Sequence, residues 1–461
     1  TLNASGPGSQ INVIGPNLVM PSFDGVGIVV GRNGVGTMNV SAGAIISITS
    51  VFDPSDLTTT PNFDIGANAT GSGTATISGS GSSLTLTDTS GNEFGSMDIA
   101  RFGTGTLNIL DGAFVANDAQ GVTTIAREAG STGTVLVEGT DADTISILDA
   151  GFRLLVGENY NFNTDTPLGL GTGGTGTLII GEFGTVIADE VFIGTDGTIQ
   201  GTGAGGEATA NAALNAGSVT LHGGTIAPGF SAGTLTMSGD FVMTSGRLDI
   251  ELGGAERGLS DLINISGMAE LSGGLVEFAL INGYVPGAGD AIAFLNALNG
   301  LSAEATSLSV AVSGVTTDFQ FEVSYGPGDA TFTALNDATA GNSVIFRGGD
   351  LDDVFEGGAG NDVLSGGGGS DRLTGGAGSD LFLLAAGDGG ATLSEADFFS
   401  DFQDGSDLIG LTGGLTPQDV SVSASETGDA VISISGSGEI LAMLQGVTQD
   451  LLDQSDFISV A

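Results

Sequence analysis

Four consecutive nonapeptides, beginning at Gly348, constrain the fold of this chain more than any other feature of its sequence. They read GGDLDDVFE, GGAGNDVLS, GGGGSDRLT and GGAGSDLFL. An aspartate recurs at every ninth position, and an apolar residue follows each aspartate two places later. This period favours a parallel β-roll in which two nonapeptides make one coil. The aspartates and their apolar partners are Asp353 with Phe355, Asp362 with Leu364, Asp371 with Leu373, and Asp380 with Phe382.

In such a roll, turns two repeats apart stack, so Asp353 is expected to meet the turn of Asp371, and Asp362 the turn of Asp380. Glycine turns expose backbone carbonyls, and the aspartates add anionic oxygens, which together suit a hard cation such as Ca²⁺. Because stacked carboxylates repel one another without a cation, we expect folding of the roll to depend on several calcium ions. The candidate metal-binding residues are Gly349, Asp353, Gly358, Gly360, Asp362, Gly367, Gly369, Asp371, Gly376, Gly378, Asp380, Asp401 and Asp407.

The first nonapeptide departs from the pattern of the other three. It has Leu351 where the later repeats have glycine. A leucine side chain at this position interferes with a tight turn that needs glycine. We therefore expect the outer site of the first repeat to be incomplete.

A longer repeat occupies the upstream part of the chain. Each copy has an apolar pair ending in glycine or alanine, a glycine-rich turn, and a Gly-Thr pair followed by alternating residues. Short segments such as Thr74–Ile77 and Thr106–Ile109 have the period of two that is typical of strands, and helical periodicity is missing. These features predict a solenoid with three short strands per coil, with aliphatic residues inside and Thr, Ser and Asn outside. The Gly-Thr pairs begin at Gly36, Gly73, Gly105, Gly133 and Gly176.

Composition excludes several classes of protein. The net charge of −46 argues against nucleic-acid binding, which needs a basic surface. Cysteine is absent, so disulfides and thiolate metal sites are impossible, and no apolar run reaches the roughly 18 residues of a membrane span. The fragments Asn163-Thr164-Asp165 and His222-Gly223 resemble parts of a polygalacturonase pattern, but lysine is absent. We therefore predict that the protein is not an enzyme and does not insert into a membrane.

The nonapeptides and the sequence after them resemble the RTX (repeats-in-toxin) proteins of Gram-negative bacteria over Gly348–Ala461. The segment DFFSDFQDGSDLIGL, Asp397–Leu411, is similar to the segment that closes many RTX rolls. This resemblance implies calcium binding and export by type I secretion machinery that reads a C-terminal signal, with an extracellular or cell-surface location. Separately, Gly27–Asp337 resembles the β-helical passenger domains of autotransporters, most specifically over Gly224–Ala293.

Together these features predict an all-β chain: a parallel β-helix (solenoid), then a short calcium-binding parallel β-roll and a C-terminal β-rich cap with the secretion signal. The predicted divisions are an extended N-terminal segment (1–25), the β-helix (26–237), a continuing β-helix or sandwich-like cap (238–342), the RTX roll (343–390), and the C-terminal cap (391–461).

Three functions fit this architecture. The first is a calcium-dependent extracellular structural protein that assembles head to tail with other copies of itself, as a filament, biofilm matrix or surface layer. The polar segment Thr1–Pro21 would serve as a linker or an added strand. The second is a monomeric surface adhesin or carbohydrate-binding protein, for which a chain with no Trp and three Tyr offers few aromatic platforms. The third is a β-helix polysaccharide lyase or epimerase.

Overall fold

The computed structural model describes residues 1–15, 26–50, 60–89, 95–118, 120–161, 166–167, 173–201, 212–229, 232–304 and 307–460. Over these ranges the chain is built almost wholly from β-strands, and a single 3-10 turn at Leu393–Glu395 is its helical element. The described residues include no helix of the length and apolarity that a bilayer crossing requires. The prediction of an all-β fold is confirmed.

A parallel solenoid forms the larger part of the molecule. Its strands are β1 (Leu2–Ser5), β2 (Gln10–Gly15), β3 (Val26–Val30), β4 (Val35–Ser41), β5 (Ile45–Ser50), β6 (Pro61–Ile65), β7 (Ser72–Ser78), β8 (Ser83–Asp88), β9 (Ser96–Ile99), β10 (Thr104–Leu110), β11 (Phe114–Ala116), β12 (Val122–Ile125), β13 (Thr132–Glu138), β14 (Ser146–Asp149), β15 (Arg153–Val156), a separate hairpin of β16 (Tyr160–Asn161) and β17 (Thr166–Pro167), β18 (Thr175–Ile180), β19 (Gly184–Ile193), β20 (Gly197–Gly201), β21 (Ala212–Ala227), β22 (Thr234–Met237), β23 (Asp240–Leu252), β24 (Leu262–Ile265), β25 (Ala269–Leu271), β26 (Gly274–Leu280), β27 (Ala291–Ala297), β28 (Leu301–Ala303) and β29 (Leu308–Val315).

The parallel pairings arrange these strands as three faces. One face runs from β1 through β4, β7, β10, β13, β18 and β20 to β26 and β29. A second face starts with β2, β5, β8, β11 and β14, and a third with β3, β6, β9, β12 and β15. Strands β19, β21 and β23 are long because they turn corners: β19 and β23 contribute to two faces each, and β21 contributes to all three.

The core of the solenoid is a set of aligned aliphatic side chains. On the first face, Val40, Ile77, Ile109, Val137 and Ile180 are in register from one coil to the next, and all are fully buried. The residues that alternate with them, such as the threonines of the Gly-Thr pairs, face outward and are partly exposed. Period-two alternation thus produces one buried and one solvated side per strand.

Each Gly-Thr glycine lies against the corner that ends the preceding strand. A Cβ on Gly105 would collide with the backbone of Ala100, which has a left-handed φ of 66°. Gly133 has the same relation to Ala126, whose φ is 60°. The repeat therefore couples a left-handed corner to a glycine that lets the next strand pass close to it.

The first 25 residues differ from the prediction of a separate extended segment. Strand β1 pairs with β4, and β2 pairs with β5, both in parallel. Because of these pairings, β1 and β2 form part of the first coil of the solenoid. Residues 16–25, which complete the predicted segment, lie outside the described ranges.

Residues 238–342 contain two kinds of structure. Parallel coils continue through β29, and antiparallel strands then close this end. These strands are β30 (Phe321–Tyr325), β31 (Asp329–Ala334) and β32 (Ala340–Arg347). Strand β31 pairs with β27 and β30, and β32 pairs with β29. The predicted division between residues 342 and 343 therefore falls inside β32.

The first strand of the roll is β32, which pairs with β34 (Val363–Ser365). The other strands of the roll are β33 (Val354–Ala359), β35 (Arg372–Ala377), β36 (Leu381–Leu384), β37 (Asp397–Phe399), β38 (Leu408–Leu411), β39 (Val420–Ala424), β40 (Ala430–Ile434), β41 (Ile440–Leu444) and β42 (Phe457–Ser459). One sheet runs in parallel from β32 through β34, β36 and β38 to β42. The facing sheet runs from β33 through β35 and β37 to β41, and the antiparallel strands β40 and β39 complete it.

Candidate metal centre

The roll places each nonapeptide aspartate above or below the aspartate two repeats away. Val354 is in register with Arg372, and Val363 with Leu381, so the offset between stacked positions is 18 residues. The apolar anchors Leu364, Leu373 and Phe382 are fully buried between the two sheets, while Phe355 is partly exposed. Anchoring by these side chains fixes the height of each turn and therefore the position of each aspartate.

The glycines of the last three nonapeptides form the turns that the sequence predicts. In every one of these repeats the second and fourth residues have a left-handed φ, which a residue with a Cβ adopts only with strain. Gly349 in the first repeat does not adopt a positive φ. The left-handed site glycines are Gly358 (96°), Gly360 (147°), Gly367 (88°), Gly369 (116°), Gly376 (95°) and Gly378 (150°).

The aspartates form two stacks. The first stack consists of Asp353, Asp371 and Asp397, and the second of Asp362, Asp380 and Asp407. In each stack, one carboxylate oxygen, Oδ1, accepts a hydrogen bond from the backbone N–H of the aspartate in the preceding coil. The N···O distances are 2.8 Å for Asp353 to Asp371, 3.1 Å for Asp371 to Asp397, 2.9 Å for Asp362 to Asp380, and 3.0 Å for Asp380 to Asp407.

The second oxygen, Oδ2, behaves differently within each stack. In Asp362, Asp371, Asp380 and Asp397 it is buried and has no hydrogen-bond partner among the described residues. All four of these aspartates are at most 1% exposed. A buried anionic oxygen without a donor is costly, so each of these oxygens requires a cation or a proton.

The burial of these carboxyl groups raises their pKa values. Desolvation is the largest cause throughout, and it raises the pKa of Asp371 and of Asp380 to about 6. The pKa of Asp397 is raised to about 9 because it is buried beside the carboxylate of Asp371. Desolvation also raises the pKa values of Asp353, Asp362 and Asp407.

A side chain of the solenoid donates a hydrogen bond to the aspartate of the first repeat. Oδ2 of Asp353 accepts hydrogen bonds from Ser309 Oγ at 2.8 Å and from the backbone N–H of Gly349 at 3.2 Å. Ser309 belongs to the last parallel strand of the solenoid, β29. The incomplete outer turn that Leu351 indicates in the sequence is thus a turn whose aspartate already has protein donors.

The other end of the roll is also closed by protein groups. The two oxygens of Asp401 accept the N–H groups of Gly375 (2.9 Å) and Gly376 (2.8 Å). Oδ2 of Asp407 accepts the N–H of Gln403 at 2.8 Å. The Gln403 amide and the Ser406 hydroxyl then donate to the carbonyls of Gly376 and Gly378, at 2.9 and 2.8 Å.

The residues present fit calcium. Four unpartnered carboxylate oxygens lie next to glycine turns, and no nitrogen or sulfur ligand is involved, which is the donor chemistry that Ca²⁺ prefers. The described residues contain no group of three or more His, Cys, Asp or Glu side chains that could hold a metal by themselves. Aspartates together with backbone carbonyls of the glycine turns would therefore hold the ions. Bound calcium would supply positive charge that neutralises the stacks.

The sequence predicts the stacking pairs and includes Asp401 and Asp407, but it missed Asp397, which continues the first stack, and Ser309, which donates to its first aspartate. Asp397 follows an irregular segment instead of a glycine repeat, although Asp397-Phe398-Phe399 repeats the spacing of aspartate to apolar anchor. That spacing was a usable signal, since Phe399 is in register with Leu373. Ser309 carries no comparable signal because it is distant in sequence and belongs to another repeat type.

A separate polar cluster lies on the third face of the solenoid. Arg127 forms ion pairs with Asp98 at 3.1 Å and with Glu128 at 3.8 Å. Farther along, His222 Nε2 lies 2.5 Å from Oε2 of Glu158, which is 1% exposed. The sequence offered no partner for this histidine. Asn163-Thr164-Asp165 lies outside the described residues.

Comparison with known proteins agrees with this geometry. The family model of the RTX calcium-binding nonapeptide repeat, in four copies, matches residues 347–382. No curated protein matches the chain significantly. The likeness of the solenoid to autotransporter passenger domains stays a prediction. Because RTX nonapeptide repeats bind several Ca²⁺ ions, and the matched residues form the stacked turns described above, residues 347–382 of this chain are RTX calcium-binding repeats.

Proposed function

We propose that this protein is a calcium-dependent extracellular structural protein whose copies assemble end to end into a filament, a biofilm matrix or a surface layer. RTX repeats support a calcium-binding extracellular protein, and they are typical of secreted proteins. The proposal includes export by type I secretion machinery of a Gram-negative bacterium, with residues 391–461 carrying the signal. The observation that supports assembly is that strands at both ends of the molecule have an edge that is unpaired among the described residues.

The outer edge of the first coil is unpaired among the described residues. Strands β1, β2 and β3 each pair with the second coil on one side only. Their sequences, LNAS, QINVIG and VGIVV, contain no charged residue in a chain that has 54 acidic residues. Proteins normally protect such edges with charges, proline or a covering segment, and an unprotected edge pairs readily with another strand.

The far end of the molecule offers complementary edges. Strand β39 pairs only with β40, and β42 only with β38, among the described strands. Their sequences, VSVSA and FIS, also lack charge. With a net charge of −46 the rods repel one another in most orientations, so contact through uncharged ends is favoured over contact along the sides. Such a head-to-tail contact is heterologous and generates an open fibre.

The test blocks the first edge without disturbing the coil. Ser9 O accepts the N–H of Ile45, and alternate residues of a strand point their backbone groups to opposite sides, so Asn12 presents its N–H to the outer edge. Asn12→Pro removes that donor, and Asn12→Ala is the matched control, since Asn12 is exposed. Negative-stain electron microscopy in millimolar calcium should show filaments or sheets for the unsubstituted chain and the control, and short or single rods for Asn12→Pro.

Dispersed rods of the unsubstituted chain, both in calcium and after chelation, would overturn the assembly. A second candidate, a monomeric adhesin or carbohydrate-binding protein, is favoured by the His222–Glu158 pair, where a partly exposed imidazole is held by a buried carboxylate next to Phe192. Binding to a panel of acidic polysaccharides, compared with Glu158→Gln, tests this candidate. Cleavage or epimerisation of the same polysaccharides would instead support the lyase or epimerase alternative.

A further inference from the structure

Each aspartate stack extends beyond the nonapeptides by one residue, Asp397 in the first stack and Asp407 in the second. Asp397 lies 15 residues after the end of the matched repeats at residue 382, in strand β37. This strand pairs in parallel with β35 of the third nonapeptide, so that Phe398 is in register with Arg372. As a result, Asp397 occupies the place in the first stack that a further repeat aspartate would occupy, although it does not belong to a glycine nonapeptide.

The carboxylates of Asp371 and Asp397 face one another without a donor between them. Oδ1 of Asp397 accepts the Asp371 N–H at 3.1 Å, while the Oδ2 atoms of both residues are buried and unpartnered among the described residues. Both residues are 1% exposed. Two buried anionic oxygens in this arrangement require a cation or a shared proton, since burial removes the water that would otherwise solvate them.

One terminal member of each stack, Asp353 in the first and Asp407 in the second, provides an internal contrast. Oδ2 of Asp353 accepts hydrogen bonds from Ser309 and Gly349, and Oδ2 of Asp407 accepts one from Gln403. These two aspartates stack in the same way as the others, yet protein donors already satisfy them. Within one roll, therefore, some stacked aspartates have a donor to Oδ2 and others do not, and only the second group needs a cation or a proton.

We propose that Asp397 is a calcium ligand and forms, with Asp371, a binding site that the nonapeptide pattern does not contain. By the same contrast, Asp353 and Asp407 close the roll and are not required for ion binding. The site links the repeats to the C-terminal cap, because β37 pairs with β41 on its other side. This inference rests on calcium binding by the repeats and not on the assembly of filaments.

The test compares three single variants of the full chain: Asp397→Asn, Asp407→Asn and Asp353→Asn. Asparagine keeps the Oδ1 acceptor of the stack and removes the negative charge. The number of Ca²⁺ ions bound per chain is measured by equilibrium dialysis, with Tb³⁺ luminescence as a second probe of the sites. Asp397→Asn should bind one ion fewer than the unsubstituted chain, whereas Asp407→Asn and Asp353→Asn should bind the same number.

Two results would overturn the proposal. If Asp397→Asn binds as many ions as the unsubstituted chain, the two carboxyl groups share a proton, which the asparagine amide replaces. If Asp407→Asn or Asp353→Asn also binds one ion fewer, an aspartate whose Oδ2 has protein donors is still needed for calcium binding, and the proposed contrast is wrong. Circular dichroism verifies folding, and Asp397→Ser repeats the measurement if the asparagine variant is unfolded. An unsubstituted chain that binds no calcium would contradict the family assignment itself.

Discussion

The solenoid and the roll stack short parallel strands in the same way but bury different chemistry. In the solenoid, aligned side chains such as Ile77, Ile109 and Val137 meet from coil to coil and need no partner other than one another. In the roll, aspartates such as Asp371 and Asp380 meet from coil to coil at the turns. The comparison shows that a stacked β-fold takes its stability from whichever residue type the repeat places at the aligned position.

Buried carboxylates also occur in the solenoid, and two of them have protein donors on both oxygens or ion-pair partners. Asp98 accepts hydrogen bonds from Thr124 and from Arg127. Asp261 accepts the N–H groups of Gly233 at 2.7 Å and of Glu251 at 2.9 Å. Among the described residues, single oxygens of Glu158 and Glu251 in the solenoid lack a donor, whereas the roll leaves one oxygen without a donor on four aspartates that stack from coil to coil. The two regions should therefore respond differently to calcium.

Calcium removal should have the largest effect and should separate the two regions. With excess chelator we expect the amides of β34–β36 to lose protection from hydrogen exchange, because the uncompensated aspartates repel one another. The amides of β7, β10 and β13 should keep their protection. Hydrogen exchange with mass spectrometry makes the measurement, and restoring calcium is the control. If the amides of β34–β36 keep their protection without calcium, the two regions do not differ in their dependence on calcium.

A cavity in the solenoid core should have a smaller effect that does not depend on calcium. Ile109 is fully buried, so Ile109→Ala is expected to lower the free energy of unfolding by about 2–5 kcal/mol. Thr106→Ala, on the outward side of the same strand, is the matched control and should change it by less than about 0.5 kcal/mol. Denaturant unfolding of the solenoid in calcium and in chelator gives both values. If the loss of unfolding free energy caused by Ile109→Ala differs between calcium and chelator, the solenoid and the roll are coupled.

The smallest expected effect is proton release on calcium binding. The pKa values of Asp371 and Asp380 are raised to about 6, and that of Asp397 to about 9, from an unfolded value of about 3.9. The calcium-free folded roll therefore holds protons more tightly than the unfolded chain. Its stability is greatest at low pH and falls as pH rises through about 6 and on to about 9.

Calcium must displace these protons, so its affinity should increase with pH over the same range. Isothermal titration calorimetry at pH 6 in two buffers with different ionisation enthalpies measures the number of protons released. Equal apparent enthalpies in the two buffers would contradict the expectation. The same titration above pH 10, where the carboxyl groups are already ionised, is the control.

The repeats allowed much of this structure to be predicted. Strands at Thr74–Ile77 and Thr106–Ile109 lie within β7 and β10, and the Gly-Thr pairs align in register as their recurrence indicates. The stacking of Asp353 with Asp371 follows from a period of nine with two repeats per coil. Repetition makes such inferences possible because one local conformation, used again, also determines the contacts between copies.

The positions that do not repeat could not be predicted in this way. Asp397 and Gln403 come from a segment after the repeats and Ser309 comes from the solenoid, and each meets the stacks only because the chain returns to them. The pairing of His222 with Glu158 spans 64 residues and two different strand arrangements. Contacts of this kind depend on the position along the stacking direction at which each coil ends, and no local sequence pattern specifies that position.

The sequence by itself determined the strands, the two coil types and the aspartates that meet within the repeats, because periodicity converts directly into register. Only the tertiary structure decided which carboxylate oxygens have protein donors, since those donors come from the solenoid at one end of the roll and from the C-terminal cap at the other. The physical reason is that an aspartate needs a cation only when its second oxygen is buried without a donor. That condition belongs to the assembled stack and not to any single repeat.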